Sequence, residues 1–237
     1  MTHKIIVAAA LLFALGGTAS AQTSDDLFNG EVLQRIDLWI NATDWAKLKQ
    51  NFKENEYYPA EVIWNGVSVP NAGVRSRGNG SRLSSKPGLR VDFDHYVDGQ
   101  TFVGLKSFVL DNLSQDSSGV HETTTVRVFA RMGIPASREA HCKLYVRGEY
   151  AGIYAVVEEV DKDLLKRVFG EINGDTQNDG YLFEYKYNSG PAWKSEYLGS
   201  ALDPYKGYFS AKTHESKSDS TIWGPIEELW RLINNTP

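Results

Sequence analysis

The stretch that decides the reading is Gly73-Val-Arg-Ser-Arg-Gly-Asn-Gly-Ser-Arg-Leu-Ser-Ser-Lys-Pro-Gly-Leu-Arg-Val-Asp-Phe-Asp94. It sets Arg75, Arg77, Asn79, Arg82 and Lys86 around Gly78 and Gly80. One strand enters (Glu61 to Val69, then Val74) and one leaves (Leu89 to Phe93). Glycine has no Cβ, so backbone N–H groups can approach a phosphate closely while arginine and lysine supply the opposing charge. The stretch has neither the Gly-x-x-x-x-Gly-Lys-Ser/Thr nor the Gly-x-Gly-x-x-Gly pattern. Taken alone, it also reads as a solvated hairpin with turn glycines and surface charges.

Outward from that hairpin, alternating segments give strands at Val32 to Ile40, on both sides of the Asn65-Gly66 turn between Tyr58 and Val69, and at Leu105 to Leu110. The clearest hairpin runs Ala140 to Val146, turns at Arg147-Gly148-Glu149 and returns Ala151 to Val157. Helices are expected at Asp44 to Phe52, His121 to Met132 with Gly133 as its stop, Asp161 to Phe169, and Pro225 to Ile233 with proline in the first turn. Gly170 to Asp179 reads as a loop and Gly180 to Tyr187 as an aromatic strand, whereas Lys194 to Ser220 has little periodicity.

The remaining composition narrows the class. Met1 to Ala21 has a basic start, an apolar run from Ile5 to Leu15 and a small-residue end, the layout of a cleaved secretory signal. About 215 residues would remain, enough for one sizeable domain or two small ones. A polar arm over residues 22–31 is expected to lead into a domain from 32 to 237. The single Cys142 excludes an internal disulfide, and the net charge of −5 argues against a general nucleic-acid binder. A local basic cluster in an acidic chain points instead to a small anionic ligand.

Common catalytic signatures are missing: Gly-x-Ser-x-Gly, His-Glu-x-x-His and Cys-x-x-Cys do not occur. The five histidines fall at no metal-ligand spacing. Arg127 could pair with Asp116 and fix the loop that carries it, or form an ordinary exposed ion pair. Glu158, Glu159 and Asp161 crowd a strand end, where they could position a lysine or hold a metal ion, with helix capping by Asp161 as the plainer reading.

The order of these motifs resembles the CotH kinase family, the spore coat protein H group of secreted atypical protein kinases. The matching segments are Gly73 to Ser81 with Lys86, Leu110 to Asp116 with Arg127 and Met132-Gly133-Ile134-Pro135, Leu144 to Tyr154, and Glu158-Glu159-Val160-Asp161. The resemblance implies an α+β, atypical kinase-like fold, mostly antiparallel sheet with packed helices. It also implies ATP and Mg2+ as cofactors and Ser or Thr of secreted or surface proteins as substrate. Arg75, Arg77, Asn79 and Lys86 would then meet the phosphates, and Glu158 or Glu159 would orient the lysine as a glutamate does in ordinary kinases.

The family's Pro-Trp-Asp-x-Asp segment does not occur here. The resemblance therefore implies a domain whose C-terminal part is missing, holding the nucleotide-phosphate half and weak or inactive in transfer alone. A non-catalytic surface module, a pseudokinase or adhesin, is the alternative. A carbohydrate-associated domain is suggested only by the six Trp and twelve Tyr. The expected location is outside the cytoplasm, secreted or periplasmic, with no nucleic-acid partner and no membrane span.

Overall fold

The computed structural model describes residues 21–172, 175–176, 180–186 and 193–235; the expected signal segment, 1–20, lies outside the described residues. In chain order the elements are α1 (Ser24–Leu27), β1 (Gln34–Ile40), α2 (Ala42–Gln50), β2 (Tyr58–Trp64), β3 (Val67–Arg77), β4 (Gly88–Asp92), β5 (Ser107–Asp111), α3 (His121–Arg131), β6 (Glu139–Val146), β7 (Glu149–Glu158) and α4 (Lys162–Phe169). Beyond them come β8 (Glu171–Ile172), β9 (Asp175–Thr176), β10 (Phe183–Tyr185), α5 (Asp203–Tyr208), β11 (Phe209–Ala211) and α6 (Asp219–Asn235).

The expected antiparallel sheet is present, but it does not stay open in the manner of an ordinary kinase lobe. Seven strands close into a barrel in the order β1-β2-β3-β4-β5-β7-β6. The closing pair is β1 with β6, which run parallel from Gln34 beside Cys142 to Leu38 beside Val146. All other barrel pairs are antiparallel.

Period-two alternation decides which side chains point inward. Ile36, Leu38, Val62, Trp64, Val74, Leu89, Val91, Phe108, Leu110, Leu144 and Val156 fill the interior. Cys142, one of these inward residues, is fully buried, and burial pushes its thiol up to about 12, so it packs as a small apolar group. The two hairpin turns obey the chemistry expected of them: Asn65 and Gly66, and likewise Arg147 and Gly148, all have positive φ, as a two-residue turn matched to strand twist requires.

The stretch expected to be a polar arm is docked on the barrel. Thr23 and Asp26 form a reciprocal capping pair around α1, which delivers Leu27 and Phe28 into the barrel core. Gln34 ties the two together, donating to the Asp26 carbonyl at 2.9 Å and accepting from the Trp64 indole at 2.8 Å. Two apolar residues among polar neighbours were enough to seat the segment.

A second, smaller unit follows the barrel. β10 pairs antiparallel with β11, and α5 and α6 pack Tyr205, Ile222, Trp223 and Ile226 into a separate core. Pro225 does not open the last helix: α6 begins at Asp219 and carries the proline inside. The missing N–H removes one helical hydrogen bond, and burial of Ile222, Trp223 and Ile226 on one face offsets that loss. The region expected to lack periodicity holds α5 and β11. β8 and β9 form a two-stranded pair within the stretch read as a loop.

Candidate functional site

Four strands of the barrel, β3, β4, β5 and β7, turn a second face outward, and that face is the floor of a cleft. The alternation that sends Val74, Leu89 and Val91 inward sends Arg75, Arg77 and Arg90 outward. Register sets Arg90 beside Val109 and Val109 beside Val157. Val109, Ala155 and Val157 form a buried apolar patch there, outside the barrel interior. Leu182, Phe183 and Glu184 around β10, with Lys212 and Thr213 after β11, roof this floor and leave a cleft of about 500 Å³. Mixed apolar floor and polar rim in such a volume is the usual form of a small-molecule site.

The polar groups of the cleft are incompletely satisfied. Arg90 Nε stands 3.7 Å from Glu159 Oε2, and Arg90 Nη2 stands 3.6 Å from Asp92 Oδ2. Both Arg90 Nε and Glu159 Oε2 are buried without a hydrogen-bond partner. Such orphaned atoms are rare in folded proteins and mark places where a ligand atom fits.

Near the rim stands a group of carboxylates. Glu122 keeps much of its surface in solvent, yet burial of its carboxyl, with repulsion from Glu139 and Asp111, pushes it up to about 7. Glu139 is also raised, by burial above all, although Thr123 donates to its Oε1 at 2.6 Å; its Oε2 has no partner. Among the described residues no set of three His, Cys, Asp or Glu comes together to hold a metal ion.

The residues singled out in the sequence divide between several tasks. Arg77 lines the cleft, while Asn79 is exposed in the turn. Arg75 donates to Asn55 at 3.2 Å and to the Ser76 carbonyl at 3.0 Å, with the Tyr57 ring beneath it. Lys86 donates to the Ile153 carbonyl at 2.8 Å and lies over the Tyr154 ring. Arg82 binds the Gly78, Lys53 and Glu54 carbonyls and the Asn55 side chain, which fastens the glycine loop to the end of α2. Asn112 closes the same loop by donating to the Ser81 and Lys86 carbonyls.

The expected pairing of Lys86 with Glu158 or Glu159 is replaced by other partners. Glu158 is clamped by Arg138 at 2.7 Å and Arg167 at 2.6 Å. Burial pushes the Glu158 carboxyl up, but the hydrogen bonds from Arg167 and Arg138 outweigh it and hold it below the usual range. Glu159, one residue past the end of β7, stands beside Arg90. Asp161 caps α4 through the Asp163 and Leu164 N–H groups. Arg127 does not reach Asp116: it donates to the Gly30 carbonyl and pairs with Glu31, while Asp116 accepts from the His121 and Ser118 backbones.

Among family models, that of the CotH kinase protein matches residues 74–236. The chain belongs to the CotH kinase family. The match begins in the middle of β3 and runs through the whole of α6, so it takes in both the floor and the roof of the cleft. No curated protein matches the chain.

Within this CotH-family chain, sequence reasoning passed over Arg90, although it sits inside the stretch quoted first. Its signal was there: Leu89-Arg90-Val91-Asp92-Phe93 alternates strictly, and an arginine on the outward side of an otherwise apolar strand needs an occupant or a partner. The roof residues carried no such signal, because what they cover is fixed only by packing between the two units.

Proposed function

We propose that this chain takes part in ATP-dependent phosphorylation of Ser or Thr on secreted or surface proteins, with the cleft between barrel and C-terminal unit as its nucleotide site. The observation that carries this reading is the Arg90–Glu159 pair, two half-buried charged groups lining a cleft of nucleotide size, whose Nε and Oε2 atoms make no hydrogen bond. A nucleotide offers both an acceptor for the arginine and a donor for the carboxylate. Val109, Val157, Leu182 and Phe183 supply apolar surface for a base, and Arg77 adds positive charge for phosphate. Of the cations first assigned to phosphate, Arg77 keeps that role; Arg75 and Lys86 hold the loop.

In the transfer itself the hydroxyl oxygen of the substrate bonds to the γ-phosphorus as the bridging P–O bond breaks and ADP leaves, while the hydroxyl proton passes to solvent. Catalysis of such a step rests on positioning and charge stabilisation. Magnesium arrives with the phosphates and asks the protein for only one or two carboxylates. The family's Pro-Trp-Asp-x-Asp segment does not occur in this sequence, so transfer by this chain alone is expected to be weak or absent. The reading includes export after cleavage near Ala21.

Titration with a fluorescent ATP analogue plus magnesium tests the site. Arg90→Gln is expected to weaken binding by about tenfold or more, an interaction of roughly 1.4 kcal/mol or above, with the melting curve close to wild type. Lys86→Ala should bind nearly as wild type does. Absence of nucleotide binding would overturn the reading in favour of a non-catalytic binding module, and loss on Lys86→Ala without loss on Arg90→Gln would move the site to the glycine loop.

A further inference from the structure

A second recess opens at another place on the barrel, away from the cleft. Its walls come from α2 (Trp45, Lys49), the β6–β7 turn (Arg147), the start of β7 (Glu149, Tyr150) and Ser85 beside the glycine loop, and it holds about 490 Å³. The Tyr154 ring, fully buried, forms part of its base, and the Lys86 ammonium lies 4.9 Å from that ring's centre. Mouths of β-barrels are frequent ligand sites.

The lining has a definite chemistry. Two cations, Lys49 and Arg147, face one carboxylate, Glu149, so the recess is locally positive in a chain of net charge −5. Lys49 makes no ion pair among the described residues; its recorded neighbour is the Trp45 ring at 5.7 Å. Arg147 spends Nη1 on the Ile40 carbonyl at 2.8 Å, which fixes the guanidinium at the rim. Tyr150 is 56% exposed and stands 5.5 Å from Tyr145.

We infer that this recess is a second binding site, for a small anionic sugar: a hexose-sized ring carrying phosphate or carboxylate. Positive charge at the rim selects the anion. The Trp45 and Tyr150 rings offer flat apolar faces to the C–H face of a sugar, and Ser85 and Glu149 can meet its hydroxyls. Phosphate or uronate would serve the same cations, and the two sources are separated by experiment. The site shares no lining residue with the nucleotide cleft, so it stands or falls independently of the proposed kinase activity.

Purified protein is titrated with glucose 6-phosphate, glucuronate, glucose and inorganic phosphate, following heat of binding and tryptophan fluorescence, which Trp45 should report. At least one of the two charged sugars is expected to saturate below about 10 mM, with glucose and inorganic phosphate about tenfold weaker or more. Lys49→Gln, at a half-buried position, and Tyr150→Ala, at an exposed one, should each weaken it about fivefold or more, with unchanged melting curves. Arg90→Gln, altered in the other cleft, should bind the sugar as wild type does. The inference is overturned if neither charged sugar saturates, if inorganic phosphate binds as well as they do, or if binding survives both recess variants or is lost in Arg90→Gln.

Discussion

The barrel and the C-terminal unit solve the same problem, burying apolar surface, by different means. The barrel does it with register: each of its seven strands is paired on both sides, and the alternation of side chains sorts interior from exterior. The C-terminal unit has two short strands and relies on contacts between rings, Trp193 with Tyr208 and Trp230, and Phe183 with Trp223. A registered sheet writes itself into the sequence as a period, whereas a cluster of rings does not. The cleft lies where the two meet, so its floor could be read in advance and its roof could not.

The largest expected effect tests the buried charge at the end of β7. Glu158→Ala leaves Arg138 and Arg167 without their shared partner, and loss of one member of a buried pair costs about 3–5 kcal/mol. Urea unfolding should show that loss. Because the Glu158 carboxyl is held below its ordinary range, its stabilisation is present above the unfolded value of 4.5 and disappears as pH falls through the folded one. The wild-type advantage over Glu158→Ala should therefore shrink in acid.

A second variant separates the two regions. Trp223→Ala removes a large ring from the smaller core and is expected to cost about 3 kcal/mol. Hydrogen exchange should quicken over 203–235 while amides of β1 to β7 stay as slow as before. Uniform quickening across the barrel would show that the two regions unfold as one.

Much of the barrel was legible because it depends on local rules. The Asn65-Gly66 and Arg147-Gly148 turns, the stop at Gly133 and the Asp161 cap all follow from residues a few positions apart. Closure was not legible, since the β1–β6 pairing joins residues more than a hundred positions apart and a parallel pair leaves no turn to mark it. Pro225 misled for a related reason: proline favours a first turn locally, but tertiary burial of Ile222 and Trp223 extends the helix back to Asp219. At the site, basic residues near glycines were noticed and outward-facing Arg90 was not, although only the latter meets a carboxylate across the cleft floor.

Two smaller effects sharpen the same contrast. Asp161→Ala removes the α4 cap and should cost about 1 kcal/mol, a local loss in the segment that joins barrel to C-terminal unit. Glu122 gives a pH signature of opposite sign to Glu158. Its carboxyl is raised to about 7 from 4.5, so the folded protein holds its proton more tightly and this group's contribution falls as pH rises from 4.5 towards 7. Glu122→Gln should therefore melt higher than wild type at pH 8 and nearly match it at pH 4, by a small margin given the exposure of the side chain. Melting curves at the two pH values check this.

The most direct measurement is photo-crosslinking with an azido-adenine ATP analogue, followed by mapping of the labelled peptides. If the nucleotide lies between the two regions, label should fall on the floor near 157–160 and on the roof at 182–184 or 212–213, and excess ATP should prevent it. Label confined to the glycine loop, 78–86, would contradict the account and return the site to the position that the sequence alone suggested.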